Sequence, residues 1–197
     1  MKTTFCSLLI LLCCTSIKAQ TWTQTQLSKA NTAKEITCLT NVEKESIMYI
    51  NLCRMYPQEF VKNELLNYFG TEKYGDYIKN SEYRKSLISF LATMQAIEPL
   101  YFDLEIYKNA ACFAKEQGIA GTTGHKRIKC AQSTYAAECC SYGMDDGKDI
   151  AMQLLIDHDV SSLGHRKICL TSRYSKIGVS VNTHSKWGIC AVLDFFY

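Results

Sequence analysis

The spacing of apolar and polar residues divides the chain into a helical body and a strand-forming tail. Thr40-Asn41-Val42-Glu43 has the form of a capping box, in which the threonine side chain satisfies a free backbone donor and the glutamate reaches back to the cap. The helix it opens carries Ile47, Met48, Ile50, Leu52 and Met55 near helical spacing, and Pro57 interrupts it before a further turn led by Phe60. Residues 67–80 are polar and bear Gly and Tyr, which predicts a loop with at most a short helix. A second helix is expected from about Glu82 to Gln95, where Leu87, Leu91 and Met94 recur at i, i+4 and i+7 beside Ile88, until Pro99 ends it. Asp103 is a good N-cap for a third, with Leu104, Tyr107, Ala111 and Ala114 on one stripe and Gly118 as its stop. A fourth spans about Lys148 to His158 with Ile150, Leu154 and Leu155 inward. Each stripe is expected to face a core. The tail then changes period: residues 176–181 and 188–195 are β-rich and flank 182–187, as in an antiparallel hairpin. Helices first and strands late predict an α+β fold with helices packed on a small sheet.

The two ends of the chain modify this picture. Residues 1–19 have the make-up of an export signal: Lys2, an apolar run from Phe5 to Leu12 continuing through Cys13 and Cys14, and Ala19 before Gln20. The run is roughly half of the about 20 residues that a membrane span needs, so export is expected rather than anchorage. Attachment of a lipid to Cys13 or Cys14 is disfavoured, because Leu12 or Cys13 precedes it where a small residue is usual. Residues 20–40 read as a polar N-terminal arm and 41–197 as one domain. No second stretch is long and apolar enough for a span, so an integral membrane protein is not expected. Loss of Lys2 and Lys18 with the leader lowers the formal charge from +3 to +1, which argues against a nucleic-acid partner.

Three of the eleven cysteines lie in the leader, which leaves Cys38, Cys53, Cys112, Cys130, Cys139, Cys140, Cys169 and Cys190. An even number in an exported chain predicts a disulfide set whose connectivity the sequence leaves open. Buried thiols are the competing reading. No Cys-x-x-Cys pair occurs, which disfavours a zinc ribbon or a thioredoxin-type site.

Four segments bring histidine and acid together: Gly124-His125, Ala137-Glu138, Ile156-Asp157-His158 and Gly164-His165-Arg166. Two imidazoles and two carboxylates in one cleft would suit zinc or another divalent cation, or acid/base chemistry. Singly, a histidine beside glycine is more often a loop or structural residue.

In this order the segments resemble the motifs of the CAP family, the cysteine-rich secretory, antigen 5 and pathogenesis-related 1 proteins. Asn51 to Phe60 is similar to the Asn-x-x-Arg-x-x-Pro-x-x-Phe of the first helix in bacterial members. Gly124-His125 falls where the family has its first cleft histidine, and Ala137-Glu138 followed by Tyr142-Gly143 is similar to its Gly-Glu-Asn-Ile segment. Gln153 to Asp157, then Gly164-His165-Arg166-Lys167 and Lys176-Ile177-Gly178-Val179, resemble the later helix, the Gly-His-Arg motif and the Ile-Gly-Val strand. The resemblance spans nearly all of residues 41–195. It implies an α-β-α sandwich, a small antiparallel sheet between helices, and a cleft tetrad of His125, Glu138, Asp157 and His165. Asp157 is a methylene shorter than the family's second glutamate, so the metal pair it implies is His125 and His165. Cys140 and Cys169 each replace an isoleucine of the family pattern beside the cleft, and a Cys140–Cys169 disulfide is expected from that replacement.

Three functions are open, the first two implied by the resemblance and the third by the high Cys and Tyr content. The first is a secreted binding module, extracellular or periplasmic, that holds a divalent cation or a small or lipid-like ligand, with Glu138 and Asp157 orienting the imidazoles. The second is a metal-assisted hydrolase or peptidase in which Glu138 is the general base. The third is a disulfide-braced scaffold for an extracellular protein partner, to which its many tyrosines would suit it. Ser161 and Ser162 stand near His165, but no Gly-x-Ser-x-Gly elbow presents either as a nucleophile.

Overall fold

A computed structural model describes residues 21–130 and 135–197, so the expected leader lies outside the described residues. In chain order the elements are α1 (Gln24–Ala30), α2 (Asn41–Met55), α3 (Pro57–Asn63), a short 3-10 turn (Leu65–Asn67), α4 (Glu82–Thr93), β1 (Tyr101–Phe102), α5 (Leu104–Ala120), β2 (Ala137–Tyr142), α6 (Gly147–Ile156), α7 (Gly164–Leu170), β3 (Lys176–His184) and β4 (Gly188–Phe196). The fold is α+β. The strands form one open sheet in the order β1-β3-β4-β2, with β3-β4 and β2-β4 antiparallel and β1 parallel to β3. The sheet is therefore mixed rather than purely antiparallel. Its parallel member is two residues long and follows an extended segment after α4, too short to show a period of two.

Helix α5 covers one face of the sheet, and α2, α6 and α7 cover the other. Successive residues on a strand point to opposite faces. Accordingly Cys139, Ala191 and Leu193 join the larger core under α2 and α6, whereas Cys140 and Val192 join Ala110, Phe113 and Ala114 of α5 in a smaller one.

The capping box at Thr40 forms as its residues dictate: the Thr40 hydroxyl accepts from Glu43 N (3.3 Å) and Glu43 accepts from Thr40 N (2.7 Å). The expected polar arm contains a capped helix, α1, because Thr23 and Gln26 build a second capping box and Trp22 packs on Tyr56 and Phe60. The stripe of α5 is also displaced from expectation. Ile106, Ala110, Phe113, Ala114 and Gln117 are buried, while Leu104 is 48% exposed. Nor does Gly118 stop the helix, which continues to Ala120 and ends on Gly121 in the left-handed region (φ 67°). Gly118 instead lets α5 approach the sheet, since a Cβ there would sit 2.2 Å from Thr183 O. Gly178 does the same at the other end, where a Cβ would meet Tyr107 N at 2.2 Å. Two glycines thus set the α5-to-sheet distance, and the helix rotates to suit that contact.

Two buried arginines and one asparagine position the later segments. Asn51 donates to Ala30 O and Leu100 O, both at 3.0 Å, and accepts from Leu100 N at 2.7 Å. The Arg54 guanidinium donates to the carbonyls of Glu98, Cys169, Thr171 and Tyr174 at 2.8–2.9 Å. Arg166 donates to Leu155 O (2.8 Å), Ile156 O (2.7 Å) and Tyr83 O (2.8 Å), tying α7 to the end of α6. Buried charges stay charged only when satisfied in this way.

Candidate functional site

The loop between α5 and β2 carries His125. It is anchored where Gly124 N donates to the Tyr142 hydroxyl (2.8 Å), which in turn donates to Gln117 Oε1 (2.7 Å). His125 Nδ1 lies 2.8 Å from Glu138 Oε1 on β2. Its side chain is 55% exposed, against 3% for the glutamate. The hydrogen bond to Glu138 raises the His125 pKa above its ordinary value, against the opposing effect of burial.

Glu138 does not stand alone. Its other oxygen accepts from Arg127 Nη2, and the same nitrogen donates to Asp194 Oδ2 at 3.1 Å. Asp194 is the residue opposite Glu138 in the β2–β4 pairing, so two buried carboxylates face each other with one guanidinium between them. The Arg127 guanidinium is stacked between the rings of Phe113 (4.4 Å) and Tyr135 (4.5 Å) and also donates to Asn109 O (3.2 Å). Burial, and then the neighbouring Glu138, push Asp194 well above the usual carboxylate range despite Arg127. Burial works against the Arg127 charge, but the two carboxylates outweigh it and hold the guanidinium above its ordinary value.

The second imidazole is built from the backbone. Asp157 ends α6 in the left-handed conformation (φ 57°), which a short polar side chain tolerates better than most. Its Oδ2 accepts from the backbone N of His165 (3.0 Å) and Arg166 (3.3 Å), capping α7, and its Oδ1 meets His165 Nδ1 at 2.7 Å. A carboxylate on Nδ1 fixes that nitrogen as the protonated one in a neutral ring and leaves Nε2 with the lone pair.

The two rings lie with centroids 6.4 Å apart and planes inclined by 42°. They line a cleft of about 500 Å³ together with Cys140, Tyr142, His158 and Trp187. Of the residues singled out from sequence, His125, Glu138, Asp157 and His165 are thus brought together. His158 stands at the edge of the same cleft, 2.9 Å from the Ser81 hydroxyl and edge-on to Tyr83. Ser161 and Ser162 are exposed.

His125, Glu138 and Cys140 each offer one ligand atom within 4.8 Å of the others, and this group could hold a metal ion. Two features oppose it. Glu138 is already paired with Arg127, and burial, then Glu138, push the Cys140 thiol up to about 12, away from the thiolate a metal prefers.

Among the described residues one disulfide is present, Cys112–Cys130, pinning α5 to the loop that carries His125. Cys38 is an exposed thiol, and Cys53, Cys139, Cys140, Cys169 and Cys190 are buried and unbonded. The expected Cys140–Cys169 pairing is not formed: Cys140 faces α5, whereas Cys169 lies in the core on the other side of the sheet. Vicinal residues on a strand cannot share a face, and Cys139 has the side that looks toward Cys169.

Sequence reasoning passed over Arg127 and Asp194. The available signal was a lone acid inside the apolar run 188–195, since a charge at a core position is almost never buried without a partner. No helix among the described residues is long and apolar enough to cross a membrane. Compared with models of protein families and with curated proteins, the chain matches none.

Proposed function

We propose that this chain is an exported CAP-type binding module whose cleft holds a divalent cation such as zinc through His125 and His165, beside a small or lipid-like ligand. The observation that carries the reading is the pair of imidazoles, each backed through Nδ1 by a buried carboxylate and facing one cleft with ring centroids 6.4 Å apart. Such a pairing orients an imidazole and makes its other nitrogen a better ligand. A metal–nitrogen bond of about 2.0–2.1 Å puts each centroid about 3.2 Å from an ion, so the observed separation is at the limit for one shared ion. A tetrahedral angle needs the rings about 1 Å closer, a shift that the exposed His125 loop can supply.

The apolar side chains of Leu154, Val160 and Trp187 on the same cleft support an apolar portion in the ligand. The Cys112–Cys130 disulfide supports an oxidising destination. Binding is favoured over hydrolysis because both oxygens of Glu138 already accept, one from His125 and one from Arg127, and its side chain is 3% exposed, so an attacking water would have to compete with an ion pair for a buried base.

Calorimetric titration with Zn²⁺ at pH 7.5 tests the reading. Saturable binding of one ion is expected, lost in His125→Ala and in His165→Ala and retained in Cys140→Ala. Loss in Cys140→Ala with retention in His165→Ala would transfer the site to the His125, Glu138 and Cys140 group, and no binding in the wild type would remove the cation from the proposal.

A further inference from the structure

Beneath the cleft, on the face of the sheet away from α5, three fully buried cysteines occupy one core: Cys53 of α2, Cys139 of β2 and Cys169 of α7. β2 and α7 pack directly on one another. The Cys139 thiol points at α7. It lies within hydrogen-bonding reach of the Cys169 side chain, and its sulfur is 3.9 Å from the carbonyl of His165, one helical turn before Cys169. Cys53 belongs to the same cluster and also neighbours Cys169.

We infer that Cys139 and Cys169 are a cross-linking site, closed as a disulfide when the chain folds in an oxidising compartment. The argument is geometric. A disulfide needs two side chains directed at each other from backbones already close together. Helix α7 packs on both β2 and α2, and of the two cysteines that face it from those elements it is Cys139 whose side chain is within hydrogen-bonding reach of Cys169. Cys140, one residue away, points through the sheet to the other core and cannot take part. The bond would join the strand residue next to Glu138 to the helix that bears His165, linking the two halves of the cleft covalently.

The chemistry is exchange with a disulfide-bearing oxidant such as oxidised glutathione. The thiolate of one cysteine attacks the oxidant's sulfur–sulfur bond, forming a mixed disulfide and releasing one glutathione thiolate. The thiolate of the second cysteine then attacks the protein-side sulfur and releases the other, so two protein thiols are oxidised as one oxidised glutathione is reduced to two thiols. Because both sulfurs are fully buried, exchange must precede closure of the core, and the folded, reduced protein should be inert to the same oxidant.

The test is refolding of the full chain from the reduced, denatured state in a mixture of oxidised and reduced glutathione, followed by tryptic mapping without reduction. Cleavage places Cys169 in fragment 168–173, Cys139 and Cys140 with Cys130 in fragment 130–148, Cys112 in fragment 109–115 and Cys53 in fragment 45–54. A three-part species is expected, in which 130–148 is joined to both 109–115 and 168–173. It should survive in Cys140→Ala and lose 168–173 in Cys139→Ala. Should either variant fail to fold, fragmentation of the wild-type species between residues 139 and 140 makes the same assignment. The inference is overturned if 168–173 is recovered joined to 45–54, if its link maps to Cys140, or if Cys169 stays a free thiol once Cys112–Cys130 has closed.

Discussion

The two halves of the cleft present the same chemical unit, an imidazole with a buried carboxylate on Nδ1, but build it differently. On the His165 side the carboxylate is held by backbone: Asp157 caps α7, and the same contact that starts the helix orients the ring. On the His125 side it is held by charge: Glu138 is clamped by Arg127, which must also serve Asp194 directly across the strands. Exposure follows the same division, with the His165 side chain 23% exposed at a helix start and His125 55% exposed on a loop. The backbone-built pair is local in sequence, eight residues apart. The charge-built pair depends on a residue from each of three segments, so it is the more easily broken.

The largest expected effect is therefore at Arg127. Arg127→Ala leaves two facing carboxylates buried without a counter-charge and should lower stability by about 3–5 kcal/mol in urea unfolding. A loss below about 1 kcal/mol would show that water reaches the cluster. Arg127→Ala combined with Asp194→Asn should recover part of the loss, because only one buried acid then lacks its partner.

Asp157→Asn probes the other half. Asparagine tolerates the left-handed backbone and its carbonyl can keep one cap hydrogen bond, so a loss of about 1–2 kcal/mol in thermal unfolding is expected. Zinc affinity should fall by about 10–100-fold, since the ring loses its orienting acceptor. An unchanged affinity would separate the cap from the site.

A smaller effect distinguishes the charge-built half by pH. Because the Glu138 hydrogen bond raises the His125 pKa above 6.5, proton and cation compete from higher pH than for a free imidazole. Cation affinity should thus weaken as pH falls through a midpoint above 6.5, read by NMR titration of the ring beside calorimetry. The sign for folding is the reverse: the raised value stabilises the fold at low pH, and the contribution disappears as pH rises through it. Glu138→Gln should move the midpoint down. Smallest of all, Ser161→Ala and Ser162→Ala should change stability by less than about 0.5 kcal/mol and leave binding intact, both residues being exposed.

Local chemistry explains what was legible. Thr40 with Glu43, and Asp103, cap their helices as their residue types dictate, and the α+β class follows from the change of period at residue 176. The four tetrad residues could be named because each lies in a short motif. Strand β2 was not predicted by period, because both of its faces are covered and its interior reads as an unbroken buried run, Glu138 to Ser141. The face of α5 was misread because Ala and Cys occur around most of that helix, so the sequence distinguishes its sides only weakly.

The sequence by itself determined where α2, α4, α5 and α6 begin, that a pair of strands closes the chain, and which histidines and acids were candidates, because caps, period and motif are properties of neighbouring residues. Only the tertiary structure decided that Asp194 sits opposite Glu138, that Arg127 serves both, and that Cys139 rather than Cys140 looks toward Cys169. Those outcomes depend on strand register and on which face a side chain takes, and a shift of one residue reverses every face of a strand.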